Sequence, residues 1–498
     1  MSTLRKFAGQ TIIYGLSTII ARLVNFILTP LFSRKYPVAI MGIFTTMYSY
    51  AALLNALLAF GMETTFFRYL QKKENNQQAV YNNTFIIVAV ISILFLCNAL
   101  IFNQQIASFI NIADKDLPKY VNYFAAILVL DALAVIPFAK VRADGRPFKY
   151  GLIKLINILI FVGCNLFFIV FIPWTIKSHL PFASLFTSWY EYQWVGYIFL
   201  SNLIASTATL LLLIPEIVQL KLRFDRKLSM EMFSYSFPIL IANFSFIINE
   251  NLDKVFLGKL LPAGVAEVQV GIYGFCAKLA IFLSIFIQAF RLGAEPFFFS
   301  HSKEKNSGQT YAIIMDYFII VMTIGVVGLV ANIEILKYFI KGSSAASSAE
   351  YWQGLPVVPV LLLGYVFLGI YMSLSIWYKL SDQTKYGLYI SGVGAIITIV
   401  LNLIFIPTHG FMASAWITMI TYASMMVLSY ILGQKNYPIP YHTLKNLAYI
   451  VCAILISWLS FSVFNRNIYI GNSLFVAFLL TVYISEGKQL KQLLKIKK

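Results

Sequence analysis

The strongest constraint on this chain is a succession of fourteen apolar runs of about twenty residues each, which take up most of its length. Bilayer hydrocarbon offers backbone amides no water, so a spanning segment must be a helix of roughly 20 apolar residues or a strand of a closed barrel. These runs are continuous rather than alternating, which excludes the barrel. They cover 10–31, 40–62, 84–102, 119–141, 150–172, 194–214 and 233–252, then 270–292, 312–333, 357–380, 386–406, 411–432, 446–464 and 469–485. With 59% hydrophobic and 12% charged residues among 498, the chain carries more apolar surface than one soluble core could hide. The expected fold class is an all-α polytopic membrane protein of about fourteen transmembrane helices.

Charge sets the expected orientation. The first run follows Arg5 and Lys6, is too long for the core of a signal peptide and lacks a small-residue cleavage pattern behind it, so it should remain as the first span. With that end inside, 26 Lys and Arg fall on the inner side, 10 on the outer side and 2 within spans. The positive-inside rule then places both termini in the cytoplasm. The densest inner clusters are Lys140, Arg142, Arg146 and Lys149, then Lys221, Arg223, Arg226 and Lys227, and the tail 488–498. A net charge of +18 scattered over short loops reads as topology and headgroup contact, not as a nucleic-acid surface. The outer loop 173–193, with Trp174, Trp189, Tyr190 and Tyr192, suits a segment lying at the membrane interface. The four cysteines all lie inside apolar runs, where neither a disulfide framework nor zinc-ligand spacing is available. No metal or cofactor is expected.

The chain also repeats itself. Gly61-Met-Glu63-Thr-Thr-Phe66-Phe67 after the second run returns as Gly293-Ala-Glu295-Pro-Phe-Phe298-Phe299 after the eighth, 232 residues later. Lys149-Tyr150-Gly151-Leu152 returns as Lys385-Tyr386-Gly387-Leu388, and Asn165-Leu166-Phe167-Phe168-Ile169 as Asn402-Leu403-Ile404-Phe405-Ile406, at offsets of 236 and 237. Three matches in one order at nearly one offset make runs 1–6 the counterpart of runs 7–12. Six is even, so the halves share an orientation, which predicts two parallel-related six-helix bundles about an axis along the membrane normal with a central cavity between them. The expected divisions are an N-lobe at 1–230, a C-lobe at 231–440, and two extra spans with a basic tail at 441–498. Whether that last pair merely packs or walls a lipid-facing groove stays open.

An ionisable group at bilayer depth should face a cavity or a partner. In the first run Tyr14, Thr18, Arg22, Asn25 and Thr29 recur at helical spacing and form one polar stripe. Arg22 either lines the cavity and meets an anionic group of a substrate, or is buried against a carboxylate such as Asp131. Lys278 sits well inside run 8, and run 7 ends in Asn243, Glu250, Asn251, Asp253 and Lys254, with Asn243, Glu250 and Lys254 near one face. Thr18, Arg22, Asn25, Asn243, Glu250 and Lys278 are the candidate cavity residues. Asp131, Glu250 and Asp253 either couple transport to a proton or sodium ion or serve as permanent counter-ions. Glu63, Arg291 and Glu295 are the candidate inner gate, the last two as an i,i+4 pair. Asp316, near the inner end of run 9, need only reach the interface.

These features resemble the polysaccharide biosynthesis (oligosaccharide flippase) family of the multidrug/oligosaccharidyl-lipid/polysaccharide exporter superfamily. The residues that carry the resemblance are Phe7-Ala-Gly-Gln10 leading into the Arg22 run, the Gly61–Phe67 motif, and Phe233-Ser-Tyr-Ser-Phe-Pro238 leading into Asn251-Leu-Asp253-Lys254. The resemblance implies a transporter, not an enzyme. It would carry polyprenyl-pyrophosphate-linked oligosaccharide repeat units across a bacterial inner membrane by alternating access, for polysaccharide or O-antigen export and alongside polysaccharide assembly machinery. Arg22 and Lys278 would meet the pyrophosphate, which suits arginine in particular. Two further readings remain: a multidrug and toxin extrusion-type cation exporter, which would use Asp131 and Glu250, and a lipid II flippase, whose added helix pair resembles runs 13 and 14. A membrane enzyme is disfavoured because His179, His301, His409 and His442 lie in separate loops and no large outer loop could hold a catalytic site.

Overall fold

The computed structural model describes residues 26–72, 76–221, 223–301, 306–381 and 383–495, with side chains omitted at 292, 293, 295, 296, 299–301 and 488–495. Among the described residues the secondary structure is helical throughout, without a strand. We number the long helices α1 (Val38–Ala59), α2 (Gln77–Ile101), α3 (Leu117–Ala143), α4 (Pro147–Leu166), α5 (Gly196–Leu212), α6 (Arg226–Leu260), α7 (Val265–His301), α8 (Ser307–Ala331), α9 (Val357–Leu374), α10 (Lys385–Asn436), α11 (Thr443–Trp458) and α12 (Ile468–Lys495). Eleven of the described helical segments are long and apolar enough to cross a membrane, and the shorter α5 is also apolar. The chain is a multi-pass membrane protein.

Local chemistry sets several of these ends. Asn76 caps α2 by accepting from the backbone N–H of Gln78 at 2.9 Å, and Asp225 caps α6 through Leu228 at 3.1 Å. Pro118 and Pro147 stand in the first turns of α3 and α4, where a missing N–H costs nothing. The 52-residue α10 is two helices joined at a kink: Gly410 has φ +54°, and a Cβ there would stand 2.1 Å from Gln269 Oε1. The sequence separates runs 11 and 12 at this same place. Gly61 likewise has φ +66°, ending the α1 segment and starting the short helix Met62–Leu70, which explains the glycine of the first repeated motif.

By contacts the chain divides into two units, one of residues 1–274, 342–344 and 398–410 and one of 275–341, 345–397 and 411–498. In the first, Phe66, Tyr81, Val88, Leu128, Ala132, Ile136 and Met232 form a core joining the Met62–Leu70 helix, α2, α3 and α6. On its other flank α1 and α7 touch backbone to backbone. A Cβ on Gly42 would stand 1.8 Å from the Glu267 carbonyl oxygen, and one on Gly271 would stand 2.2 Å from that of Val38. The Glu267 carboxylate accepts from the backbone of Ala113 at 2.8 Å and of Gly264, tying the turn between α6 and α7 to the loop before α3.

In the second unit α8 is the hub for the final helix pair. Asp316, which the sequence placed near the interface, is buried: it accepts from His442 Nδ1 at 2.7 Å and Asn446 Nδ2 at 2.9 Å. Lys445 lies 3.6 Å from Asp316 and 2.8 Å from Glu486, which also accepts from Tyr449. At the opposite end Asn332 and Asn472 exchange hydrogen bonds at 3.1 Å, and Arg466 reaches Glu334 at 3.3 Å. Polar contacts at both ends thus pin α11 and α12 against α8. Their outward residues, among them Leu447, Leu455, Leu480 and Ile484, are exposed apolar side chains suited to lipid.

Candidate functional site

Helical spacing brings a polar set to one place inside the first unit. On α3, Asp131, Val135, Phe138 and Arg142 follow one another at four, three and four residues. Lys154 and Asn157 share a face of α4, and Asn202, Ser206 and Thr209 share a face of α5. Together with Asn55, Glu63 and Tyr150 they line a cavity of about 300 Å³. That volume is at the lower end of small-molecule sites, and its lining is far more polar than is usual for one.

The polar groups are partly tied to one another. Ser206 Oγ donates to Asp131 Oδ1 at 2.7 Å, Asn157 Nδ2 to Thr209 Oγ1 at 2.9 Å, and Asn202 Nδ2 to the Tyr48 hydroxyl at 3.0 Å. The Lys154 ammonium lies 4.4 Å from the centre of the Phe138 ring, a cation–π contact. Among the described residues no carboxylate comes within ion-pair distance of Lys154, although Asp131 lines the same cavity. At one edge Arg142 pairs with Glu63 and covers the Phe67 ring at 4.9 Å.

Beyond that edge the basic cluster between α3 and α4 is neutralised in place. Glu216, fully buried, accepts from Lys149 Nζ at 2.7 Å and meets Arg146 at 3.1 Å. Asp144 pairs with Lys140 and Arg146; burial pushes its carboxyl up, but the two cations outweigh this and hold it below the usual carboxylate range. Residues that the sequence presents as topology determinants therefore also fasten α3, α4 and the turn after α5.

Several expected site residues lie elsewhere. Thr18, Arg22 and Asn25 fall outside the described residues, as does the side chain of Glu295. Lys278 is half-buried in the second unit, its ammonium 4.4 Å from the Phe275 ring centre. Arg291 is exposed and lines a narrow space of about 20 Å³ with Lys379. On α6, Asn243 is exposed and Glu250 half-buried, while Asp253 is buried, accepting from the Tyr273 hydroxyl at 2.6 Å and pairing with Lys254 at 2.9 Å. Asn249, not singled out from sequence, is buried there and accepts from Thr398 at 3.1 Å. Asn55, Lys154, Asn157, Asn202, Ser206 and Thr209 were also missed, although the last five repeat at three- and four-residue spacing. The four cysteines are free, and no group of three His, Cys, Asp or Glu among the described residues could hold a metal.

The chain is thus a multi-pass helical membrane protein with a polar cavity among the helices of its first unit. The chain belongs to the polysaccharide biosynthesis protein family, whose pattern matches residues 7–298. Its fold is similar to that of the lipid II flippase MurJ in an inward closed conformation, with a TM-score of 0.72 at 13% identity over 95% of this chain and 99% of that one. It is also similar to an inward-facing multidrug resistance MATE family transporter of the MOP superfamily, with a TM-score of 0.62 at 14% identity over 87% and 95%. The Vibrio cholerae MATE transporter VcmN follows, with a TM-score of 0.59 at 14% identity over 87% and 95%. No curated protein sequence matches the chain. At these identities the structural likeness shows the fold alone: that of a flippase-like transporter.

Proposed function

We propose that this protein flips a polyprenyl-pyrophosphate-linked oligosaccharide repeat unit from the inner to the outer leaflet of a bacterial inner membrane, by alternating access, for polysaccharide or O-antigen export. The observation that carries the reading is a cavity of about 300 Å³ lined by amides, hydroxyls and charges within the helices of a polysaccharide biosynthesis family member. Lipid-facing helices have no use for such a lining, whereas a carrier of sugars must have one. In this reading spans 1–6 and 7–12 are lobes at 1–230 and 231–440, and residues 441–498 add two spans, with both termini in the cytoplasm. Arg22, with Thr18 and Asn25, and Lys278, with Asn243 and Glu250, meet the pyrophosphate and sugars. Glu63, paired with Arg142, belongs to the inner gate with Arg291 and Glu295. Coupling to a proton or sodium ion falls to Asp131, Glu250 or Asp253. Asp131 inside the cavity also favours a second reading, export of a cationic drug.

The test is the leaflet distribution of lipid-linked sugars in membranes with and without the protein, read by a sugar-binding probe that cannot cross the bilayer. Accumulation on the inner leaflet in its absence, reversed by the wild-type chain, is the expected result. An unchanged distribution rejects the flippase and leaves drug export.

A further inference from the structure

We infer that the space between Asp131 and Lys154 is a carbohydrate subsite, holding a neutral, hydroxyl-rich sugar residue; this rests on the flippase reading above. The two groups stand on α3 and α4 facing one cavity, of opposite charge and yet without a direct ion pair between them. Asp131 accepts from Ser206 and has further lone pairs, while the ammonium of Lys154 can donate three hydrogen bonds and lies over the Phe138 ring, with no ion pair among the described residues. A sugar hydroxyl both donates and accepts, so a ring between them can give a proton to the carboxylate and take one from the ammonium. Asn157 and Asn202 add amide groups at the walls.

Net charge decides against the other ligand classes. Among the described residues, one carboxylate and one ammonium, with Glu63 and Arg142 paired at the edge, leave no excess of either sign. A pyrophosphate would need a surplus of cations and a lipophilic cation a surplus of carboxylates.

The internal repeat shows that these polar groups are not an architectural need. Counting from the shared Lys-Tyr-Gly-Leu motif, Lys154 corresponds to Ile390 and Asn157 to Val393 in the second half. At every offset from 232 to 237, Asp131 falls on the segment Leu363-Gly-Tyr-Val-Phe-Leu368, which holds no carboxylate. The same helix positions thus fold with apolar side chains in one half. In the first half the corresponding charges instead face a cavity, where a ligand can meet them.

The test uses the full chain in lipid nanodiscs and two probes. One is the water-soluble oligosaccharide released by mild acid from the lipid-linked pool of the cells that contain the protein, and the other is inorganic pyrophosphate. Binding is read by saturation-transfer NMR and calorimetry on the wild type, on Asp131→Asn and on Lys154→Ile, which copies the residue of the second half. Thermal unfolding establishes that each variant is folded. The oligosaccharide should bind the wild type, lose at least tenfold in affinity in both variants, and be indifferent to pyrophosphate. Equal affinity in all three, no oligosaccharide binding to the wild type, or pyrophosphate binding that disappears in Lys154→Ile overturns the subsite. Flipping is measured on the same preparations. Wild-type flipping that persists unchanged in both variants removes the subsite alone, whereas absent wild-type flipping removes the flippase reading with it.

Discussion

Replacing Gly271 by alanine tests the close approach of α1 and α7. The new methyl group would stand 2.2 Å from the Val38 carbonyl oxygen, about 1.2 Å inside the 3.4 Å at which ordinary contact begins. The obstacle is backbone, so no rotamer change relieves it and the two helices must part. Overpacking of this kind costs roughly 1–3 kcal/mol, set against a gain of about 1 kcal/mol from exchanging glycine for alanine within a helix. Gly163 on α4 separates the two effects: a Cβ there meets nothing within 4 Å, so Gly163→Ala reports helix propensity alone. In thermal and denaturant unfolding of the purified chain, Gly163→Ala should match or exceed the wild type. Gly271→Ala should fall below Gly163→Ala by about 1–3 kcal/mol, and Gly42→Ala further still, because its Cβ would stand only 1.8 Å from a carbonyl oxygen. If Gly271→Ala and Gly163→Ala unfold alike, α1 and α7 do not approach this closely and the reasoning is wrong.

Two further outcomes follow from paired carboxylates. Lys445→Met leaves Asp316 and Glu486 buried and short of a cation, so stability should drop by about 3 kcal/mol, the lower end of the range for a broken buried pair because Lys445 is itself partly exposed. Limited proteolysis between α10 and α11 should quicken in step, and an unchanged unfolding midpoint with unchanged cleavage would mean that His442 alone suffices. Asp116, just before α3, is held below the usual carboxylate range by Lys119 at 2.7 Å; burial opposes this and the Trp194 indole N–H at 3.0 Å supports it. A lowered pKa means that its contribution is complete above the ordinary carboxylate value of about 4 and is lost as pH falls through the folded value. Asp116→Asn should therefore cost stability at neutral pH and cost progressively less below about pH 4. A pH-independent difference between variant and wild type would refute the assignment.

Much of the architecture is legible without coordinates, because membrane insertion is a local property of composition and length. Each apolar run in the described part of the chain became helix, and the boundary between runs 11 and 12 reappeared as the kink at Gly410. Gly61 and Glu63 were visible through the repeated motif, and the structure supplies the reasons: a positive φ at the glycine and an ion pair with Arg142 at the glutamate.

What the sequence by itself determined was thus the class of molecule and where its described helices run. Only the tertiary structure decided which charges share a space. Lys154 stands near the start of an apolar run, where a lysine ordinarily snorkels to the interface, so nothing in its sequence position singles it out. Packing of α3, α4 and α5 instead turns it into the cavity that Asp131 lines. Asp316 was in the same position, since its partners His442, Asn446 and Lys445 lie more than a hundred residues away and no local pattern announces them. Hydropathy records how much of a helix must avoid water, but the neighbour that each face meets is settled only when the helices pack.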